Sequence, residues 1–207
     1  MAEAIPPGRA GRAWLVAHIA TADHSVDLLR QKQQLLAHQY RRLTQLREQT
    51  ADEWRSAVAD ADLWSARVDA LGGTAGSELL ASPTQGRASV TVSWRNTMGV
   101  LHPDEAHVDT PDLSPMARAR NAAVGPCATA HQRALQAAAR EAVVEGALRA
   151  LQAELASTRR RLRAIERHRL PWLEGALHAL TLRLDEVERE ERLVTRCAAQ
   201  RLEEGGS

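Results

Sequence analysis

The sequence predicts a mainly α-helical protein, in which an N-terminal and a C-terminal helix form a long antiparallel, left-handed two-helix coiled coil. A small middle head with short helices and a β-hairpin is expected between them. Apolar residues recur every three or four positions in two long segments, one near each end of the 207-residue chain. Phe is absent and Tyr40 is the single tyrosine, so the aromatic residues of an ordinary globular core are scarce. Ala, Leu, Arg, Glu and Gln dominate, which is typical of long helices.

The first helix is predicted over residues 12–71, between Pro6-Pro7 and Gly72-Gly73. Its apolar stripe keeps a period of 3.5 for about eight heptads, which requires a left-handed supercoil around a partner helix. Trp54 and Trp64 belong to this stripe and are interpreted as core residues. The stripe positions are Leu15, Ile19, Ala22, Val26, Leu29, Gln33, Leu36, Tyr40, Leu43, Arg47, Thr50, Trp54, Ala57, Ala61, Trp64, Val68 and Leu71.

The middle head is predicted over residues 72–128, with a hairpin around 88–103. The stretch from Leu71 to Ser89 is rich in Gly, Ser and Thr, which does not favour a continuous helix. Alternating apolar and polar residues then predict a strand through Val90, Val92 and Trp94, a turn at Asn96 to Gly99 and a second strand through Val100 and His102. Prolines at 103, 111, 115 and 126 are expected to keep the following residues irregular.

The second helix is predicted over residues 129–203. Pro171 lies within it, and because the apolar pattern resumes at once we expect a kink or an unwound turn rather than a helix end. The stripe comprises Leu148, Leu151, Leu155, Leu162, Ile165, Leu173, Leu177, Leu180, Leu184, Val187, Val194 and Ala198.

Pairing the two helices antiparallel, with their apolar stripes in contact, sets a rough register. It places Leu29 near Val187 and Leu71 near Gly146. Arg30 and Lys32 would then face the acidic residues Asp185, Glu186 and Glu188 and help to select the register. The alternative is that these charges are ordinary solvated residues that contribute about 0 to 1 kcal/mol each.

The charge and cysteine content limit the possible partners. The formal net charge is +1, so no global field attracts nucleic acid or anionic lipid. Cys127 and Cys197 are far apart, and His131 after Cys127 lacks a second ligand pair, so neither a disulfide framework nor a zinc site is indicated. We expect reduced thiols in a cytoplasmic protein. No signal-peptide core and no apolar run of about 18 residues is present, so no direct membrane insertion is expected.

Other polar clusters have weaker chemical interpretations. Gly72, Gly73 and Gly76 lack the Lys-Ser/Thr pair of a phosphate-binding loop. Metal binding by His102 and His107 with Asp104 and Glu105 is weighed against simple loop polarity, which is favoured. No catalytic arrangement of Ser, Cys, His and Asp is recognisable, so no catalytic, cofactor or metal residue is predicted. A run of basic residues could bind phosphate or an acidic surface of a partner protein; the alternative is that it forms a solvated helix face. The run comprises Arg159, Arg160, Arg161, Arg163, Arg167 and Arg169.

Short motifs occur in order along most of the chain, from about Pro6 to Glu191. The first comprises Ala22, Ser25, Leu28, Leu29, Arg30 and Lys32; the second Met98, Gly99, Val100 and Pro103. The third comprises Arg161, Arg163, Ile165, Glu166 and Pro171, followed by Leu184, Glu186, Glu188 and Arg189 within LDEVERE. The ordered set resembles the D subunit of V-type and archaeal-type rotary ATPases, the central rotor stalk. Ser25 and Arg163 stand where that family usually has Gly and Asn.

The resemblance implies a non-catalytic rotor axle without a cofactor. Its partners would be the catalytic A and B subunits, the F subunit of the rotor and a membrane-side central-stalk subunit of the C/d type, with no nucleic acid. It would couple ATP hydrolysis or synthesis to a proton- or sodium-translocating ring, at the cytoplasmic face of the membrane and peripheral through the complex. The rival hypothesis is a free-standing coiled-coil adaptor or the stalk of another ATPase-driven machine.

The same resemblance places both chain ends inside the catalytic hexamer. Ile5, Leu15, Val194 and Leu202 are therefore candidate bearing contacts. The alternative is that they only close the end of the coiled coil.

Overall fold

A computed structural model describes residues 5–72, 87–111 and 122–204. The predictions for the Gly-rich stretch at 73–86, for Pro115 and for the Leu202 side chain lie outside the described part. The elements are α1 (Gly8–Gly72), β1 (Ser89–Thr97), β2 (Val100–Asp109), α2 (Val124–Ala164), a π-helical turn (Ile165–Arg169) and α3 (Leu170–Glu204). The prediction of a mainly helical chain with long helices towards each end and a hairpin between them is confirmed.

The chain forms two compact units, whose boundaries lie between Gln33 and Gln34 in α1 and between Ala156 and Ser157 in α2. We call the unit that holds both chain ends the terminal unit and the other the middle unit. The predicted stripe of α1 is buried or half-buried in them, except at Arg47, Trp54 and Leu71. The heptad pattern therefore identified most of the buried face of α1. The interpretation of Trp54 as a core residue is wrong, because its side chain is 42% exposed.

The terminal unit packs α1 against the π turn and α3. Leu15 and Ala22 of α1 form a buried cluster with Leu173 of α3. Ion pairs join the two sides further along: Arg9 Nη2 lies 3.0 Å from Glu188 Oε1, and Arg30 Nη2 lies 2.6 Å from Glu166 Oε1. Because higher numbers on α1 meet lower numbers on the other side, the packing is antiparallel. The partly buried residues around the cluster are Ile5, Trp14, Ile19, Ile165, Leu170, Ala176, Leu177 and Leu180.

The middle unit packs α1 against α2 in the same antiparallel sense. One cluster joins Leu36 of α1 to Leu151 and Leu155 of α2 and to Val100 of the hairpin. A second cluster, further along α1, joins Val68 to the start of α2 and contains Ala123, Val124 and Cys127. Burial of these side chains supplies the main stabilisation, at roughly 1.5–3 kcal/mol for a large apolar residue.

The predicted register is wrong. Arg30 pairs with Glu166 rather than with residues 185–188, and Glu188 pairs with Arg9. The true register differs by about twenty residues, close to three heptads. A shift by whole heptads leaves every stripe facing its partner, so the apolar pattern alone cannot distinguish such registers. The left-handed supercoil stays a prediction.

The second helix begins at Val124, five residues before the position predicted near Thr129. Pro126 was expected to keep this segment irregular. That expectation is wrong, because Pro126 lies in the first turn of α2, where the backbone N–H has no partner within the helix and proline is tolerated.

The unwound turn predicted near Pro171 is confirmed as the π turn, which ends at Arg169, two residues before the proline. The Leu170 N–H donates to the Ile165 carbonyl oxygen, a bond that spans five residues. Pro171 has no N–H to donate, and its ring would clash with the carbonyl group of Arg167 in a regular α-helix. The wider turn lets the helix continue past the proline.

The hairpin is an antiparallel pair of β1 and β2 with a two-residue turn at Met98 and Gly99. Both turn residues have positive φ, 53° and 82°, as the turn type that matches strand twist requires. The expectation that Pro103 starts an irregular segment is wrong, since β2 continues to Asp109. A register irregularity between Ser93 and Trp94 accommodates the proline in this two-stranded sheet.

Candidate interaction surfaces

The last turns of α3 form an exposed helix end, which we define as residues 189–201. Every residue in this range is exposed. Leu193 and Val194 are 58% and 69% exposed, far more than the buried residues of the same helix such as Leu173. Large apolar side chains that stay in water along a helix are available to a partner protein.

The candidate bearing contacts fall in different environments. Val194 lies in the exposed helix end. Leu15 is 0% exposed and packs in the terminal-unit cluster, and half-buried Ile5 packs against the same cluster, which favours the interpretation that they close the coiled coil. Leu202 lies within α3.

The hairpin carries a second group of exposed apolar side chains. Val90, Val92 and Trp94 point from β1 into solvent, and Trp94 is 62% exposed. Leu101 on β2 and Met98 in the turn are also exposed. A small sheet with this much exposed apolar surface is typical of a protein contact site.

The opposite side of the hairpin is anchored on the helices. Val100 is buried between α1 and α2, and His102 is 2% exposed. The His102 Nδ1 atom lies 2.9 Å from the Pro103 carbonyl oxygen, which only accepts, so Nδ1 donates; Nε2 lies 3.0 Å from Thr97 Oγ1. Both ring nitrogens therefore have hydrogen-bond partners within the hairpin. These bonds explain the burial of His102 without a ligand.

The predicted polar clusters assemble no metal centre in the described residues. The segment with His102, Asp104, Glu105 and His107 is part of β2, so its interpretation as a loop is wrong. Asp104 instead pairs with Arg95, 2.7 Å away. Within 5–72, 87–111 and 122–204, no group of three or more His, Cys, Asp or Glu side chains is placed to hold a metal ion.

Cys127 and His131 are neighbours on α2, one turn apart. Cys127 is fully buried, and its Sγ lies 3.6 Å from His131 Nδ1. The same Nδ1 atom lies 2.9 Å from the Cys127 carbonyl oxygen, to which it donates. The four-residue spacing of Cys127 and His131 therefore reflects a contact between successive turns of one helix.

The first family-like motif lies on α1. Ala22 is buried, Leu29 and Lys32 are half-buried, and Leu28 is exposed. Arg30 makes the ion pair with Glu166.

The remaining motifs shape the backbone or pair charges. Met98 and Gly99 form the hairpin turn, Val100 is buried, and Pro103 packs near Gly146 of α2. Ile165 and Glu166 form the π turn before Pro171. Leu184 is half-buried and Glu186 and Arg189 are exposed, whereas Glu188 pairs with both Arg9 and Arg192.

Two polar contacts were not predicted from the sequence. Thr50 is buried and donates to Glu141 across the middle unit, and Glu53 pairs with Arg140 at 3.8 Å. The burial of Thr50 could have been predicted, because Thr50 is a polar residue at a stripe position.

The burial of His102 could also have been predicted from the sequence. His102 lies two residues after buried Val100, which places both on one face of β2.

These features define a helical protein of the coiled-coil class, with antiparallel helices and a hairpin that together expose apolar side chains at the helix end and at the sheet. None of the described helices is long and apolar enough to cross a membrane. The chain belongs to the family of the ATP synthase D subunit, whose model matches residues 15–198. The predicted family resemblance is thereby confirmed, and family membership supports a stalk subunit of a rotary ATPase complex. No curated protein matches the chain in sequence.

Proposed function

We propose that this protein is the central rotor axle of a V/A-type rotary ATPase or ATP synthase, and that it couples the A/B catalytic hexamer to the ion-translocating membrane ring. The observation that carries the proposal is the exposed helix end of α3, together with family membership. In the exposed helix end, Leu193 and Val194 are available to contact a surrounding protein surface.

Mechanical coupling requires contacts that differ among the catalytic interfaces. A helix end with apolar residues among Arg and Glu is asymmetric around its axis, so rotation presents a different surface to each interface. Each orientation then stabilises one conformation of the neighbouring catalytic subunits over the others, and only such differential contacts shift a conformational equilibrium.

The hairpin supplies a second contact, with the membrane-side part of the rotor. Val90, Val92 and Trp94 are exposed on a sheet that is anchored on the helices through Val100. We assign this surface to the stalk subunit of the C/d type, while the F subunit binds alongside the helices. In this arrangement the protein is peripheral to the cytoplasmic face of the membrane.

The test is co-expression of the full chain with A, B and F subunits from the same source, followed by native mass determination of the purified assembly. One copy per three A and three B subunits is the expected result. Elution apart from these subunits, alone or self-associated, would instead favour the free-standing adaptor. A second co-expression with the C/d-type subunit and a hairpin variant, Trp94→Ser, separately tests the membrane-side contact.

A further inference from the structure

The terminal unit carries a belt of positive charge, which we call the arginine belt and define as Arg159, Arg160, Arg161, Arg163 and Arg167. The first four lie in the last turns of α2 and the fifth lies in the π turn. All five side chains are exposed. The stalk architecture does not require this concentration of charge, because the helices pack through their apolar faces.

The described residues of the terminal unit do not neutralise the positive charge of the belt. The one carboxylate between residues 159 and 169 is Glu166, and Arg30 already binds it at 2.6 Å. Within the described part of the chain, no carboxylate lies within 4.0 Å of the belt guanidinium groups. Arg163 Nε instead donates to the Arg159 carbonyl oxygen at 3.3 Å, which leaves its charge uncompensated.

An ordinary solvated helix face has a different composition. Residues 185–192 of α3 read DEVEREER, where Arg192 pairs with Glu188 one turn earlier at 3.3 Å. In the belt, Arg159 and Arg163 are separated by the same four residues, and like charges at this spacing destabilise a helix. A local arrangement that opposes folding and has no compensating ion pair among the residues that the structure describes points to a functional contact.

We infer that the arginine belt binds an acidic surface of a partner protein within the ATPase complex. This inference rests on the proposed function, which supplies the complex. Guanidinium groups are suited to the role because their planar forks bind carboxylates through two hydrogen bonds. No aromatic residue interleaves with the five arginines to stack on bases, and the net charge of the chain is +1, so an acidic protein is favoured over nucleic acid.

The primary test compares two variants of the full chain for binding to an assembled complex of A, B and F. The belt variant carries Arg160→Gln, Arg163→Gln and Arg167→Gln. The control carries Arg41→Gln, Arg42→Gln and Arg149→Gln, three exposed helix arginines of the middle unit. Arg41 and Arg149 also donate to a carbonyl oxygen one turn earlier, as Arg163 does, so the control matches both charge and local bonding.

The belt variant is expected to bind at least about fivefold more weakly at low ionic strength, as three lost ion pairs imply. Its affinity is also expected to fall less steeply with salt than that of the wild-type chain. The control should bind like the wild type. Circular dichroism and thermal unfolding of each free variant exclude loss of folding as the cause, because removal of like-charge repulsion does not weaken the helix.

A second measurement identifies the surface. A photo-crosslinking residue, p-benzoylphenylalanine, replaces Arg160, and mass spectrometry maps the crosslinks formed in the complex. Crosslinks to a segment rich in Asp and Glu support the inference, whereas crosslinks confined to neutral or basic segments would overturn it. Equal binding by the belt variant and the control would do the same while leaving the rotor proposal intact.

Two further outcomes are distinguished. If the wild-type chain does not assemble with A, B and F, the proposed function fails and the inference fails with it. If the belt variant assembles normally but loses binding to a fluorescent single-stranded DNA oligonucleotide, the belt is a nucleic-acid site and the inference is wrong.

Discussion

Gly146 of α2 and Pro103 of β2 are so close that a Cβ atom at Gly146 would lie 3.0 Å from Pro103 Cγ. The absence of a side chain at residue 146 therefore lets the hairpin approach the helix. Val100 of the same strand is buried in a cluster with residues of α1 and α2, so Gly146 and Val100 together fix the hairpin on these helices. The family-like motif that contains Val100 and Pro103 thus has a structural basis in this contact.

Replacement of this glycine tests the contact. In Gly146→Ala the added methyl group crowds the rigid proline ring, at a cost of about 1–3 kcal/mol. The gain in helix propensity of about 0.5–1 kcal/mol does not offset it. We expect a lower free energy of unfolding and faster hydrogen exchange in β1 and β2.

Gly175→Ala is the matched control, because a Cβ atom at this position in α3 meets nothing within 4 Å. It should raise the free energy of unfolding by about 0.5–1 kcal/mol. Equal stabilisation by both alanines would show that the hairpin does not press on α2.

The observed register predicts the outcome of charge exchange. Arg30→Glu and Glu166→Arg should each destabilise by about 0.2–1 kcal/mol, and the double variant should recover most of the loss, since the pair is partly exposed. In the register predicted from the sequence, the recovering pair would be Lys32→Glu with Glu186→Lys. No recovery is expected there, because neighbouring Glu188 lies beside Arg9. Urea unfolding of both double-mutant cycles decides between the registers.

Pro171 tests how the π turn accommodates proline. Because the turn already removes the clash, Pro171→Ala should change the free energy of unfolding by less than about 1 kcal/mol, whereas a stabilisation of about 3 kcal/mol would show that the proline is strained. A new proline about one turn further along α3, Glu174→Pro at an exposed site, should cost about 3 kcal/mol or more. Thermal unfolding followed by far-ultraviolet circular dichroism measures both variants.

The sequence was sufficient for the elements and for most of the buried faces, but not for the alignment between the helices. It also did not indicate that the predicted stripe residues Val187, Val194 and Ala198 are exposed at the end of α3. Val68, Leu36 and Leu15 were all assigned correctly to the core face, because burial in a helix has a period that the sequence displays. The register depends on which heptad meets which, and ion pairs such as Arg30 with Glu166 decide it. Charges occur too often along both helices for a single sequence to indicate the correct pair.

The hairpin shows a similar limit. Alternation predicted β1, and Met98-Gly99 was placed correctly in the turn. The continuation of β2 past Pro103 was missed, because proline usually interrupts a ladder and its accommodation by an irregular register is a property of the paired strands. The surfaces were harder still, since the exposure of Trp94 and Leu193 depends on what the rest of the chain leaves uncovered.

The exposed helix end predicts a separation of function from stability. Leu193→Ser with Val194→Ser should change the free energy of unfolding of the isolated chain by less than about 0.5 kcal/mol, because both residues are already in water. In the assembled ATPase the same variant should hydrolyse ATP with reduced coupling to ion transport. Leu63→Ser, at a half-exposed leucine of α1, is the control and should retain coupling.

Leu151→Ala provides the converse case. Leu151 is fully buried in the middle unit, so its truncation should cost about 2–5 kcal/mol of folding free energy. At temperatures where this variant is still folded, its coupling per assembled complex should be normal, since the Leu151 side chain is buried within the middle unit and does not reach the surface. Coupling is measured as ion transport per ATP hydrolysed in reconstituted vesicles.

Full coupling by the Leu193/Val194 variant would contradict the prediction for the exposed helix end. The contact that transmits torque would then have to lie elsewhere on the chain.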